Sequence, residues 1–350
     1  MLYLYLAFLL LCLLFVKVAG RNAFHQDYLA KENTTAVNGI FVGVVFFSHV
    51  SLYLTLPETT PNKIFDAMNI GQLMVTTFLF YSGYGLLCSI RAKGLPYVKK
   101  IPWERLFKVW LHFAIAVCLF LIAGYASGER FAIKKILLAF TGAQSVGNSS
   151  WYIFGILGEY VIFWISFQVL RIRDNKQTRL AGLLLTTLLT AAYVIWIRWM
   201  GKDTWCYNSL AMFPLGVAWG LYHEKVDRLL HEKSSLWLVA LALTIAIYEL
   251  GVMQRNVNLV WYTVFCGAFA VAMLLVSMRI QLNSPVLNFF GKHVFSVYIL
   301  QRLSMIILSD MGWIEQKPYL SLILVILCTS SIAVGFDWVM DKLYKKLHLK

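Results

Sequence analysis

Hydrophobic residues in this 350-residue chain form long runs that are separated by short polar segments. A helix that crosses the hydrocarbon core of a bilayer needs about 20 mostly apolar residues. Eleven runs approach this length, at residues 1–19, 37–56, 70–90, 106–125, 151–170, 180–199, 208–222, 236–253, 259–277, 286–307 and 319–340. The pattern predicts an all-α fold, a polytopic integral membrane bundle of ten to eleven transmembrane helices.

Some of these runs have unusual boundaries. The seventh is short and contains Pro214 and Gly216, and only the turn 283–285 separates the ninth from the tenth. Between the fourth and fifth runs, residues 129–142 place Phe131, Ile133, Ile136, Leu137 and Phe140 against a short charged face. This pattern favours a short amphipathic helix on the outer membrane surface.

The first run has no positive charge before its apolar core, whereas Lys17 and Arg21 follow the core. A cleavable signal peptide carries its positive charge first. We therefore expect a retained helix, with residues 1–27 forming an extra transmembrane helix and a short loop ahead of a membrane domain at 28–350.

Composition supports a membrane class. Hydrophobic residues make up 60% of the chain and charged residues only 14%, whereas soluble domains carry about 25% charged residues. The net charge is +14, but the basic residues fall in short loops, where they report topology and contact with anionic lipid rather than nucleic acid. The six cysteines have no metal-ligand spacing, and we expect no metal.

The loops predict the orientation. One side of the predicted bundle carries roughly twice as many lysines and arginines as the other, and the basic side is expected to be cytoplasmic. The N-terminus would then lie outside and the C-terminus in the cytoplasm of a cell membrane that the chain crosses many times.

Two titratable residues, His49 and Glu159, lie inside predicted spans, where burial of such groups is costly and indicates function. Counted from the midpoints of their runs, both lie within about 2 to 4 Å of the membrane midplane. They could form a pair in which the carboxylate orients the imidazole and raises its basicity. A structural hydrogen bond between helices is the alternative for each.

Asn38 and His49 are eleven residues apart, so eleven steps of 100° bring them to within about 20° of the same helical face. This face runs about 16 Å from the cytoplasmic end to His49. A donor bound at that end could extend a reactive arm toward the imidazole. Gly39 and Gly43 lie on another face and indicate helix packing.

The segment before the fourth run interleaves basic and aromatic residues. They are Tyr97, Lys99, Lys100, Trp103, Arg105, Lys108 and Trp110. Such a patch could hold a polyphosphate and stack a base. The simpler interpretation is anchoring of the cytoplasmic side by positive charges and interfacial aromatics.

Six short motifs follow one another along the chain. They are Asn38-Gly39-Ile40 through Ser48-His49; Phe80-Tyr81-Ser82-Gly83-Tyr84-Gly85-Leu86; Arg105 with Lys108; Trp151-Tyr152 through Tyr160; Tyr207-Asn208 with Phe213-Pro214-Leu215-Gly216; and Gly291-Lys292-His293 with Tyr298-Ile299-Leu300-Gln301. Taken in order, over about residues 28–340, these motifs resemble the membrane acyltransferase-3 family. Each motif is weak, and their order is the specific feature.

The resemblance implies a bacterial O-acyltransferase that moves an acetyl or other short acyl group from cytoplasmic acyl-CoA, such as acetyl-CoA, to a hydroxyl of a cell-surface glycan. His49 would be the catalytic base or acyl carrier. The family frequently has an arginine where this chain has Asn38, so Lys31, Arg105 or Lys108 would supply charge for the donor phosphates. Candidates for oxyanion support in the cavity are Ser82, Tyr84, Asn208 and Gln301.

Two other classes stay open at this stage. A proton-coupled transporter or exporter would use His49 and Glu159 as a proton relay. A non-catalytic membrane sensor would need no acyl donor. Release of free CoA from acetyl-CoA in the presence of a glycan distinguishes the enzyme from both.

Overall fold

The computed structural model describes residues 8, 10, 12–20, 22–53, 70–169 and 176–347. The α-helices are α1 (Lys31–Val50), α2 (Ile70–Lys93), α3 (Leu95–Ile101), α4 (Lys108–Ala126), α5 (Ile133–Phe140), α6 (Trp151–Val169), α7 (Lys176–Trp199), α8 (Met212–Glu232), α9 (Ser234–Gln254), α10 (Leu259–Ser277), α11 (Pro285–Lys292), α12 (Val294–Asp310), α13 (Trp313–Gln316) and α14 (Pro318–Lys346). A π-helical turn, Pro102–Phe107, joins α3 to α4, and a 3₁₀ turn, Thr204–Cys206, precedes α8.

Eight helical segments in the described part of the chain are long and apolar enough to cross a membrane. They are Lys31–Val50, Gly71–Lys93, Leu95–Ala126, Trp151–Val169, Lys176–Trp199, Ser234–Gln254, Leu259–Ser277 and Pro318–Lys346. The chain is therefore a polytopic, helical membrane protein. A short helix, α5, is present where the sequence predicts one between the fourth and fifth runs, and its Ile133 and Leu137 side chains are exposed.

Three of the eleven predicted spans differ from the prediction. The first is described only in part, at residues 8, 10 and 12–19. Its end at Val16–Val18 is a strand, β1, rather than helix. The strand β1 pairs antiparallel with β2, Ile280–Leu282, so the connection between the ninth and tenth runs is more than a tight turn. The backbone pairing places residues 16–18 against a segment more than 260 positions away, which an apolar run cannot reveal.

The seventh and tenth runs also change. The seventh becomes α8, which continues into a charged segment ending at Glu232 and so is not apolar enough to count as a span. The tenth is broken at His293 into α11 and α12. Local hydropathy does not detect the break because both halves are apolar.

Close helix crossings set the positions of α1 and α2. A Cβ atom at Gly39 would lie 2.0 Å from the carbonyl oxygen of Leu287 in α11, and one at Gly83 would lie 2.1 Å from that of Phe213 in α8. Only glycine permits such approaches, which is the usual way in which membrane helices gain packing without a hydrophobic driving force. Gly43 faces the ring of Phe8, so both glycines of the predicted packing pair pack against neighbours.

A partly buried polar cluster joins α4, α12 and α14. The Ser296 hydroxyl donates to the Asp337 carboxylate, and His112 Nε2 lies 2.8 Å from Ser296 Oγ, so that nitrogen is the donor. His293 Nδ1 also contacts the Asp337 carboxylate. Satisfied buried networks of this kind fix one arrangement of helices.

Candidate active site

One end of the bundle, which we call the basic end, brings together Lys31 at the start of α1, Lys93 at the end of α2, Lys108 at the start of α4 and Lys346 at the end of α14. A cavity of about 370 Å³, the mouth cavity, is lined by α1, α2, α6, α12 and the π-helical turn. Its lining includes Lys31, Asn38, Ser82, Arg105, Tyr152 and Tyr298. The structure thus brings four of the ten sequence-predicted site residues to one cavity, although they come from α1, α2 and the π-helical turn.

Two features of the mouth cavity favour a polar ligand that has both an anionic group and a hydrogen-bond donor. Arg105 Nε donates to the hydroxyl of Tyr97 at 3.1 Å, which fixes the guanidinium at the cavity wall. The side-chain oxygen of Asn38 is buried and has no hydrogen-bond partner among the described residues. A buried hydrogen-bond acceptor without a partner costs free energy, so the expected partner of this oxygen is a hydrogen-bond donor on a bound ligand.

His49 lies in a second, smaller cavity of about 110 Å³, the His49 cavity, which Ser48, Gln72, Trp151, Trp205 and Tyr298 also line. The Nδ1 atom of His49 is buried and has no hydrogen-bond partner in the described part of the chain. Arg302 lies one turn beyond Tyr298 on α12, and its Nε donates to the hydroxyl of Tyr53 at 3.2 Å.

Tyr298 lines both the mouth cavity and the His49 cavity, so it lies where the two cavities adjoin. Its ring packs edge-on against Tyr152, with 5.4 Å between the ring centroids. Its hydroxyl is buried and has no partner among the described residues. The residue that the two cavities share therefore carries a hydroxyl that a bound ligand can use.

The predicted pair of His49 and Glu159 does not form. Glu159 Oε2 accepts a hydrogen bond from Thr190 at 2.8 Å, and Glu159 does not line the His49 cavity. The depth estimate failed because Trp151, the first residue of α6, already lies beside His49. Glu159 is eight residues further, or about 12 Å along the helix axis.

Three other predicted residues lie away from the cavities. Lys108 faces α14, where its Nζ lies 6.0 Å from the ring centroid of Tyr344. Tyr84 packs edge-on against His223 of α8 at 5.6 Å. Gln301 is fully buried on α12 and donates to the carbonyl oxygen of Tyr298 at 3.2 Å, so it supports the backbone behind that tyrosine.

Asn208 lies in a third cavity of about 490 Å³, the far cavity, whose lining includes Gln72, Arg198, Trp205, Asn208, Arg255 and Tyr262. Gln72 and Trp205 line the His49 cavity as well. The side-chain oxygen of Asn208 accepts a hydrogen bond from Gln72 Nε2 at 2.6 Å, so Asn208 holds the Gln72 side chain that lines both cavities. Neighbouring cavities along the bundle thus share lining residues, from the basic end to the opposite end.

Sequence reasoning missed Tyr298, Gln72 and Arg302. Tyr298 belongs to a quoted motif, but a tyrosine inside an apolar run is as typical of helix packing as of a functional role. Gln72 lies at the start of α2 and reads as a helix end. Arg302 sits near the end of an apolar run and reads as an interfacial anchor.

Comparison with known proteins adds one finding. A family model described as an acyltransferase domain matches residues 35–340. This range includes all of the cavity residues named above except Lys31. No curated protein and no solved structure matches the chain.

Proposed function

This chain belongs to the acyltransferase-3 family, and on that premise we propose that it moves an acetyl or other short acyl group from acyl-CoA to a hydroxyl of a cell-surface glycan. The observation that carries the proposal is the position of Tyr298 between the mouth cavity and His49. A donor in the mouth cavity can present its thioester at that tyrosine, and an acceptor hydroxyl can meet it beside the imidazole.

The mouth cavity binds the donor. Lys31 and Arg105 line it and supply positive charge for the CoA phosphates, and charge-assisted contacts to phosphate are the strong class of hydrogen bond. The family's arginine is replaced by Asn38, so these two residues carry the charge in this chain. The basic end is then cytoplasmic, which agrees with the excess of basic residues on that side.

His49 is the general base. It removes the proton of the acceptor hydroxyl as the oxygen attacks the thioester carbonyl carbon. The carbonyl oxygen becomes negative and accepts a hydrogen bond from Tyr298. The carbon–sulfur bond then breaks, the proton moves from His49 to the sulfur, and the products are an O-acyl ester and free CoA. In the second form of the reaction, His49 itself attacks the thioester and releases CoA, and the acceptor hydroxyl then takes the acyl group from the acyl-imidazole.

The size of the His49 cavity favours a short acyl group. Its volume is about 110 Å³, whereas an engineered apolar cavity of about 150 Å³ holds one benzene molecule. An acetyl group and a sugar hydroxyl fit such a space, but a long acyl chain does not. Acetyl-CoA is therefore the proposed donor.

The transporter alternative gains no support from the geometry. A proton relay requires groups within hydrogen-bonding reach of one another, whereas Glu159 binds Thr190 and lies about 12 Å along α6 from the residue that contacts the His49 cavity.

The test is the release of free CoA from acetyl-CoA by the purified protein in nanodiscs, with a panel of bacterial polysaccharides as acceptors. His49→Ala should retain acetyl-CoA binding and lose about 10² to 10⁴-fold in turnover. Glu159→Gln should lose much less. His223→Ala is the matched control, since His223 lies outside the three cavities. Near-native turnover by a folded His49→Ala variant would contradict the mechanism.

A further inference from the structure

The polar cluster of α4, α12 and α14 contains three titratable side chains that the acyl-transfer step does not use, those of His112, His293 and Asp337. The Asp337 carboxylate is at its centre. It accepts from the Ser296 hydroxyl, contacts His293 Nδ1 and lies 3.5 Å from His112 Nε2. None of these four is among the described residues that line the mouth, His49 or far cavity. Any effect of the cluster on the reaction therefore passes through the helices that it joins.

The start of α12 lies between the cluster and the mouth cavity. Val294, Phe295 and Tyr298 line that cavity, whereas His293 and Ser296 contact Asp337. In steps of 100° per residue from His293, the three cavity residues lie at about 100°, 200° and 140°, and Ser296 lies at about 300°. The side that faces the cavity and the side that contacts Asp337 are therefore opposite faces of the first turns of α12.

We infer that Asp337 is a positioning residue for acyl transfer. Through His293 and Ser296 it fixes the rotation of α12, and so it holds the Tyr298 hydroxyl where the mouth cavity and the His49 cavity adjoin. The inference rests on the proposed function, because Tyr298 is the oxyanion donor of that mechanism. Asp337 touches no reacting atom and acts through the tyrosine.

The break at His293 explains why α12 needs this support. Within a continuous helix each turn is set by the turn before it, but α12 begins afresh at Val294, after His293 with φ −102° and ψ 17°. By contrast, α14 runs without a break from Pro318 to Lys346. Asp337 is therefore held on a continuous helix and provides a fixed point for the start of α12.

The first turn of α12 is also in contact with α4. His112 Nε2 donates to Ser296 Oγ at 2.8 Å, and its ring packs edge-on against Phe295, with 5.1 Å between the ring centroids. Tyr344 of α14 donates to the carbonyl oxygen of Lys108, the first residue of α4, at 2.8 Å. A connected set of hydrogen bonds thus joins the three helices, and such networks favour one arrangement of their members.

The first experiment is a double-mutant cycle between Asp337→Asn and Tyr298→Phe in the full chain in nanodiscs. It measures CoA release at saturating acetyl-CoA, with the bacterial polysaccharide that native protein uses fastest as acceptor. Asp337→Asn should lower kcat by about 10- to 10²-fold, as expected for a misplaced catalytic group. In the Tyr298→Phe background the same substitution should cost about twofold or less, which is the scatter of additive pairs, because the hydroxyl that Asp337 positions is already gone.

The second experiment reports on Tyr298 without any turnover. A 3-fluorotyrosine label at position 298 gives a fluorine NMR signal whose chemical shift depends on the surroundings of the ring. Asp337→Asn should shift or split this signal. Ser296→Ala is the second variant, for use if Asp337→Asn does not fold. It removes one contact and leaves the carboxylate with His293, so it should change the signal and kcat in the same direction but less.

Asp310→Asn is the matched control. Asp310 is the last residue of α12 and accepts from the Ser127 hydroxyl at 2.6 Å. It thus also joins α12 to α4 through an aspartate, but it lies about 18 Å along the helix from Tyr298. Both the fluorine signal and kcat should stay near their native values in this variant.

Native turnover by Asp337→Asn, or a loss of the same size in both backgrounds, would overturn the inference. An unchanged fluorine signal in a folded Asp337→Asn variant would also overturn it, and so would equal effects of Asp337→Asn and Asp310→Asn. The proposed function fails separately, if native protein releases no CoA. The fluorine signal would then still show whether Asp337 sets the position of Tyr298.

Discussion

Tyr298→Phe removes one hydroxyl from the partition between the mouth cavity and the His49 cavity. That hydroxyl is buried and has no hydrogen-bond partner among the described residues, and an unpaired buried polar group costs about 1 to 3 kcal/mol. The free energy of unfolding should therefore stay equal or rise in the variant. Turnover should fall by about 10² to 10³-fold, the usual effect of losing one oxyanion donor.

This opposite movement of stability and activity is specific to a group held for catalysis. Thermal unfolding of the protein in nanodiscs gives the first quantity, and CoA release from acetyl-CoA gives the second. Affinity for acetyl-CoA should change little, because the hydroxyl acts on the oxyanion and not on the ground-state donor.

Tyr262→Phe is the contrasting variant. The Tyr262 hydroxyl donates to Gln72 at 2.7 Å, so its removal leaves a buried acceptor unpaired and should lower stability by about 1 to 3 kcal/mol. Full turnover in Tyr298→Phe, or a loss of stability like that in Tyr262→Phe, would refute the role assigned to Tyr298.

Two further outcomes follow from the cavities. Arg105→Gln should weaken acetyl-CoA binding by about 10-fold or more, since a charge-assisted contact contributes about 1.5 to 3 kcal/mol. Lys108→Gln should not weaken it, because Lys108 faces α14. Equal effects of the two substitutions in a calorimetric titration would contradict this difference. Val75→Ala enlarges the His49 cavity and should raise the preference for propionyl-CoA over acetyl-CoA by about 10-fold, since one methylene is worth about 1 to 3 kcal/mol in a fitted pocket. Val42→Ala, on α1 outside that cavity, should leave the ratio of the two kcat/KM values unchanged.

The membrane class and most of the helices could be predicted from the chain alone. In lipid every backbone group must be bonded within its own segment, so a long apolar run becomes a helix whatever its neighbours are. The same local rule explains the errors: the strand Val16–Val18 needs its partner Ile280–Leu282, and the break at His293 lies between two apolar halves.

Helical periodicity also predicted that Asn38 and His49 share a face, and the structure places each of them at a cavity that Tyr298 lines. The family motifs pointed to Ser82 and Arg105, which the mouth cavity contains, and to His49 itself.

The tertiary structure decided which residues meet across helices. Depth along the bundle is set by where each helix begins, and rotation is set by close crossings such as that of Gly39 against α11. Neither depth nor rotation can be read from the sequence. For this reason Glu159, whose expected depth in the membrane matched that of His49, accepts a hydrogen bond from Thr190 instead. Arg198 and Arg255 come from the ends of two different helices, and they line one cavity only when the helices pack, because packing joins residues that no local pattern connects.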